Sequence, residues 1–261
     1  MAIVLEAKGL NKSFGAVTAA NDINVAVEQD AIVGLIGSNG AGKTTFINMV
    51  TGYLKPSSGT IAFGGRDITL FSPRQITRLG ICRSFQIPQL FNTLSVYDNL
   101  LVGIGIVVSG GKNWAQASHY VGTPGEAVDG ILERFRLTDY RDKLAGVLPE
   151  GIRKLLDIAM AMAVKPKILL LDEPTSGVSA DEKFTLMDMV MEAVQAQKVT
   201  VLFVEHDMDI VTRYTQRVLA FYEGRIIADG LPASVLSDIE VRKYVTGEAQ
   251  LAASGGHHAA H

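Results

Sequence analysis

Two clusters of residues in this 261-residue chain combine types and spacings that suit chemistry. The first is Gly37-Ser38-Asn39-Gly40-Ala41-Gly42-Lys43-Thr44-Thr45, a glycine-rich run closed by a lysine and two threonines. Glycines so spaced let successive backbone N–H groups turn inward around phosphate oxygens, Lys43 adds a point charge, and the Thr44 hydroxyl is a ligand for Mg2+. The second is Ile168-Leu169-Leu170-Leu171-Asp172-Glu173, four apolar residues, two carboxylates and then Pro174. Asp172 has the chemistry to hold a magnesium shell through water, and Glu173 to polarise an attacking water. Paired acids alone are common in surface turns; with a phosphate loop upstream they read as the two halves of a phosphoryl-transfer site.

Both clusters need strands to aim them. Ala31–Ile36 reads as a buried strand that feeds the glycine loop, and Thr44–Gly52 as the short helix behind it, which is the context a phosphate-binding loop requires. The apolar run before Asp172 is a second buried strand, with both carboxylates at its C-terminal edge, where open α/β sheets bind ligands. His206 follows the apolar Val199–Val204 and Glu205, so it reaches the same kind of edge and can donate to a γ-phosphate or orient water. Gln86, in Arg83-Ser84-Phe85-Gln86, stands where a β-rich region gives way to a helical one; its amide can reach metal or water and sense phosphate.

The remaining elements follow from periodicity and breakers. Residues 3–7 and 23–27 read as strands about a turn, Ile61–Phe63 with Gly64-Gly65 as a hairpin, and Ser109–Gly125 as a loop or a ragged helix. Helices are expected over Glu126–Phe135, Ile152–Val164, Asp181–Gln197, Met208–Thr215 and Val235–Val245. Strands are expected over Lys167–Leu171, Val199–Glu205 and Arg217–Tyr222. Strands alternating with helices indicate a mostly parallel α/β core, and the helical middle reads as an inserted subdomain. The tail 247–261 carries His257, His258 and His261 among Ala and Gly and has little with which to fold.

Bulk properties exclude several classes. With 48% hydrophobic and 20% charged residues the chain is expected to pack a core, and a net charge of −3 offers no basic footprint for nucleic acid. The lone Cys82 rules out an internal disulfide and reads as a small buried hydrophobe. The apolar stretches 101–108 and 168–171 fall short of the roughly 18 residues of a membrane span. No Asn-Lys-x-Asp segment, which reads guanine, follows the glycine loop.

From about residue 3 to 246 the sequence resembles the ATPase subunit of an ABC transporter, and within that superfamily it is most similar to subunits driving import of branched-chain amino acids. The resemblance is carried by the two clusters above, by Ser13-Phe14-Gly15, by Ile81–Gln86 with Leu90-Phe91 and Leu94-Ser95-Val96, and by Val204-Glu205-His206-Asp207-Met208. It implies an α/β fold, a P-loop NTPase (RecA-like) core at about 1–89 and 161–246, with an antiparallel β subdomain and an inserted α-helical subdomain at about 90–160. It implies ATP and Mg2+ as cofactors, Phe14 stacked on adenine, Gly37, Ser38, Asn39, Gly40, Ala41, Gly42, Lys43, Thr44 and Thr45 around the phosphates, and Thr44, Gln86 and Asp172 about the metal. Glu173 becomes the catalytic base, His206 the switch histidine and Gln86 the relay to a membrane subunit. The implied partners are a second cassette, either a copy or a sister chain, then transmembrane permease subunits and, indirectly, a periplasmic solute-binding protein. The implied location is peripheral, on the cytoplasmic face of the inner membrane. The run Leu100–Val108 fits the permease-docking region loosely.

The chain departs from the family where Leu-Ser-Gly-Gly-Gln is usual: here Leu148-Pro149-Glu150-Gly151-Ile152 keeps only Leu148 and Gly151. Pro149 has neither the hydroxyl nor the N–H that serine would offer a γ-phosphate, whereas Gly151 and the following helix N-terminus retain N–H donors. Ser176-Gly177-Val178-Ser179 stands where aspartate commonly ends the motif. Two other readings follow: a degenerate regulatory cassette beside an active partner, and the ATPase of a lipid or lipopolysaccharide exporter.

Overall fold

Continuous apolar runs make the central strands, because a strand covered on both faces cannot alternate. In the computed structural model, which describes residues 2–108 and 123–246, every residue of β3 (Ile32–Gly37), β7 (Ile168–Asp172) and β8 (Thr200–Val204) is buried. The long strands β1 (Ile3–Phe14) and β2 (Val17–Glu28) instead alternate in burial. They extend well beyond the expected 3–7 and 23–27, with register shifts that absorb the polar and glycine residues between.

The chain divides into two compact units, Met1–Pro73 with Phe203–His261, and Arg74–Leu202, so that the chain passes from the second to the first within β8. The first unit holds an antiparallel sheet ordered β2-β1-β4-β5, with β4 at Ser58–Phe63 and β5 at Arg66–Asp67, joined through the expected Gly64-Gly65 turn. It also holds β3 parallel to β9 (Arg217–Tyr222), and β9 antiparallel to β10 (Arg225–Gly230), a strand absent from the sequence expectations. Its helices are α1 (Lys43–Val50), α7 (Met208–Tyr214), α8 (Pro232–Ser237) and α9 (Ile239–Val241).

Where a single helix over Val235–Val245 is expected, the structure breaks the chain at Asp238. Its backbone is extended (φ −61°, ψ 136°), and its carboxylate accepts from the N–H groups of Glu240 and Val241 to start α9. The acid that reads as tolerable within a helix acts here as a cap.

The second unit carries α2, whose first residue Pro73 closes the first unit (Pro73–Leu79), then β6 (Ile81–Ser84), α3 (Val96–Val108), α4 (Pro124–Arg134), α5 (Glu150–Ala163), β7 and α6 (Ala180–Gln197). β6 pairs in parallel with β7, Cys82 opposite Leu169 and Ser84 opposite Leu171. This four-residue strand ends two residues before Gln86, on the β-rich side of the boundary expected there. α4 starts on a reciprocal capping box, Thr123 with Glu126, and Pro124 follows the cap. Buried Asn99 fastens the segment before α3: it accepts from the Phe91 N–H and donates to the carbonyls of Phe91, Leu94 and Ser95. Most of the expected loop Ser109–Gly125, from 109 to 122, and the tail 247–261 lie outside the described residues.

Candidate active site

In the first unit the glycine loop follows β3, as its sequence requires. Gly37 and Gly42 are fixed by close approach: a Cβ on Gly37 would sit 2.5 Å from the Phe221 carbonyl oxygen, and one on Gly42, at φ 107°, 2.7 Å from that of Ala19. Gly42 also caps α1 without a side chain, which leaves the helix N-terminus clear for an anion. Lys43 is buried and curls back so that Nζ donates to the carbonyls of Gly37 (2.6 Å) and Ser38 (3.0 Å). Its ammonium is thus held over the mouth of the loop. Ser38, Asn39, Gly40 and Thr44 are exposed around it.

Glu205 is buried and its N–H donates to the carbonyl of Leu35, so His206, which is exposed, emerges beside the strand that delivers the loop. The His206 N–H donates to the Glu205 carboxylate at 3.1 Å, and Asp207 accepts from the N–H groups of Asp209 and Ile210 to start α7. Phe14 ends β1 half exposed, with the Lys12 ammonium 5.3 Å from its ring centroid.

In the second unit the carboxylates are brought to the end of β7. Gln86 Nε2 donates to Glu173 Oε2 at 2.8 Å, which unites two residues 87 positions apart. Asp172 accepts from Arg83 at 2.5 Å, with both side chains 9% exposed. Glu173 takes a left-handed backbone (φ 49°), uncommon for a residue with a side chain, and its carbonyl accepts from buried Lys154 at 2.8 Å. Gly151 lies in the first turn of α5, where a Cβ would rest 3.8 Å from Val178 Cγ1.

Three residues here went unread in the sequence: Arg83 as the partner of Asp172, Lys154, and Asp157, whose carboxylate accepts from the N–H groups of Phe85 and Gln89, each at 3.0 Å. Burial pushes the Asp157 carboxyl up to about 6, against the two N–H donors and Lys154, which pull it down. A signal was present, since Lys154 and Asp157 interrupt the buried face that Leu155, Leu156, Ile158, Ala159 and Met162 give α5. Charges on an apolar helix face seldom lack a specific partner.

A cradle closed to side chains, a lysine aimed back across it and a free helix N-terminus fit the phosphates of a nucleotide. Among the described residues no group of three or more His, Cys, Asp or Glu side chains could cage a metal. Mg2+ keeps waters and substrate phosphates as ligands and needs only one or two protein oxygens, and the hydroxyl of Thr44 and the carboxylate of Asp172 are of the type it takes.

The ABC transporter family model matches residues 20–176. The chain belongs to the ABC transporter family. It is 33% identical over 258 residues to the high-affinity branched-chain amino acid transport ATP-binding protein BraF of Pseudomonas aeruginosa, covering 94% of this chain and 98% of that protein. It is 36% identical to the probable branched-chain amino acid transport ATP-binding protein LivG of Archaeoglobus fulgidus, over 94% of this chain and 95% of the other. A solved ATP-binding cassette of an ABC transporter in its ADP conformation matches with a TM-score of 0.81 at 32% identity, covering 93% of this chain and 98% of that one. The ABC subunit described here therefore has the P-loop NTPase core with antiparallel β and inserted α-helical parts, binds nucleotide and hydrolyses ATP.

Proposed function

We propose that this ABC subunit powers uptake of branched-chain or related amino acids as one of two cassettes on a pair of permease subunits. The observation that carries the cargo is its similarity, over nearly its whole length, to BraF and LivG. A periplasmic solute-binding protein delivers the amino acid, and the helical segment at about 90–160 docks on the permease. Attachment is peripheral, on the cytoplasmic face, through the permease subunits.

In the proposed reaction Lys43, the Thr45 end of the loop and the N–H groups from Gly37 to Thr44 hold the phosphates, while Thr44, Asp172 and Gln86 serve Mg2+. The metal supplies charge neutralisation on the phosphate oxygens. Phe14 stacks on adenine, and Gly151 presents its N–H to the nucleotide of the other cassette. Glu173 accepts the hydrogen bond of the attacking water and then its proton, as the water oxygen bonds to the γ-phosphorus. The bond to the bridging oxygen breaks, and ADP and inorganic phosphate separate. His206 orients the γ-phosphate, and Gln86, hydrogen-bonded to Glu173, ties the base to the permease-facing loop.

The cargo is tested in proteoliposomes containing the chain, its permease subunits, a sister cassette and a solute-binding protein, with radiolabelled leucine outside. ATP-dependent accumulation supports the proposal; ATP turnover without uptake of any branched-chain amino acid overturns the cargo assignment.

A second reading, a slow cassette beside a more active sister, is favoured by Pro149 and Ser179. Pro149 caps α5 with no side-chain hydrogen bond, and the Ser179 hydroxyl donates to Glu182 at 2.8 Å. Turnover by the chain alone that matches the mixed pair counts against it.

A further inference from the structure

The loop that carries Gln86 is held from one helix. Asp157, on α5 and 7% exposed, accepts from the Phe85 N–H through Oδ2 and from the Gln89 N–H through Oδ1, so its carboxylate bridges the peptide on either side of Gln86. One turn earlier on the same helix Lys154, 4% exposed, donates to the carbonyl of Glu173. One partner of the 2.8 Å Gln86–Glu173 hydrogen bond, Glu173, is therefore held directly by a buried charge on α5, and the other, Gln86, sits between two residues held by a second.

We infer that Asp157 is a positioning residue: by clamping Phe85 and Gln89 it sets the Gln86 amide against Glu173, and so ties the register of α5 to the orientation of the base. The inference rests on the role proposed for Glu173, and its loop measurement is independent of that role. The chemistry needs a carboxylate. Each of its oxygens accepts one N–H, and the charge strengthens both bonds. An amide of the same shape has one acceptor and one donor, so one end of the clamp must face donor to donor.

The test compares Asp157→Asn and Asp157→Glu in the full chain. Asp157→Asn is expected to speed amide exchange across residues 84–90 by about tenfold or more, since the loop loses an anchoring hydrogen bond. It is expected to leave the affinity for a fluorescent ATP analogue within about twofold, because the hydrogen bonds of the Asp157 carboxylate go to the Phe85 and Gln89 N–H groups and not to the phosphate loop. Turnover is expected to fall about tenfold or more through misplacement of the base, and Asp157→Glu, which keeps both acceptors, to recover part of the turnover and the protection. In a Gln86→Ala background the same asparagine change should have little further effect, because the clamp then has nothing to position. Unchanged exchange at 84–90, or an equal loss of turnover with Gln86 already removed, overturns the inference.

Should the variants fail to fold, the unmodified protein still decides. The amides of Phe85 and Gln89 are expected to exchange more slowly than that of exposed Ile87, and equal rates overturn the clamp.

Discussion

Replacing Arg83 by methionine isolates the burial of Asp172. The pair lies at 2.5 Å with both side chains 9% exposed, so the change strands a carboxylate with little access to water and also removes the guanidinium from the Phe85 ring, 4.9 Å away. Breaking a buried pair from one side costs about 3–5 kcal/mol, whereas removing both charges is often close to neutral. With a urea slope of about 3 kcal/mol per molar, that loss lowers the unfolding midpoint by about 1–1.7 M. The exposed pair Lys8–Glu6 supplies a control, since side chains 66% and 36% exposed gain little from pairing in water. Urea unfolding followed by far-ultraviolet circular dichroism, without nucleotide, should rank Arg83→Met far below Lys8→Met, and Arg83→Met with Asp172→Asn should recover more than half of the loss. If Arg83→Met stays within about 1 kcal/mol of the parent, or the double variant is no better than the single, the pair does not have the buried character assigned to it.

Other changes probe other links. Gly42→Ala puts a Cβ against the Ala19 carbonyl at a φ of 107°; it is expected to cost about 1–3 kcal/mol and to weaken nucleotide binding, measured by urea unfolding and titration with a fluorescent ATP analogue. Cys82, 4% exposed on β6, has its thiol pushed up to about 12 by burial, so it should resist a thiol reagent at pH 8 in the folded protein and react once urea unfolds it; labelling within seconds in the folded state would contradict its placement. The Asp157 carboxyl is raised from 3.8 to about 6, chiefly by burial, so its protonated form favours the folded state. That contribution is complete below about pH 4 and is lost as pH rises through about 6. Relative to Asp157→Asn the parent should therefore gain up to about 3 kcal/mol as pH falls from 7 toward 4, and a constant difference would contradict this.

The glycine loop, the apolar runs before Asp172 and His206, and the helix over 180–197 were legible because each is specified locally, by a loop that only glycine can close or by an apolar period. Gln86 was legible as a type of residue at a boundary, but its contact with Glu173 spans 87 positions and depends on β6 pairing with β7. Such pairing is a property of the sheet. Asp157 and Lys154 left only the signal of charges among apolar neighbours, because a charged side chain in an amphipathic helix reads as solvated until its face is known. The break at Asp238 shows the same limit, since a cap and a tolerated helical acid look alike until the backbone turns.

The central claim is that the chain hydrolyses ATP with Glu173 as the base. Steady-state ATP turnover with Mg2+ should be measured over a range of protein concentrations for the parent and for Glu173→Gln. The account predicts turnover per chain that rises with concentration as cassettes pair, and a loss of about 100-fold or more in the variant with ATP binding retained. Equal turnover in both forms would contradict it.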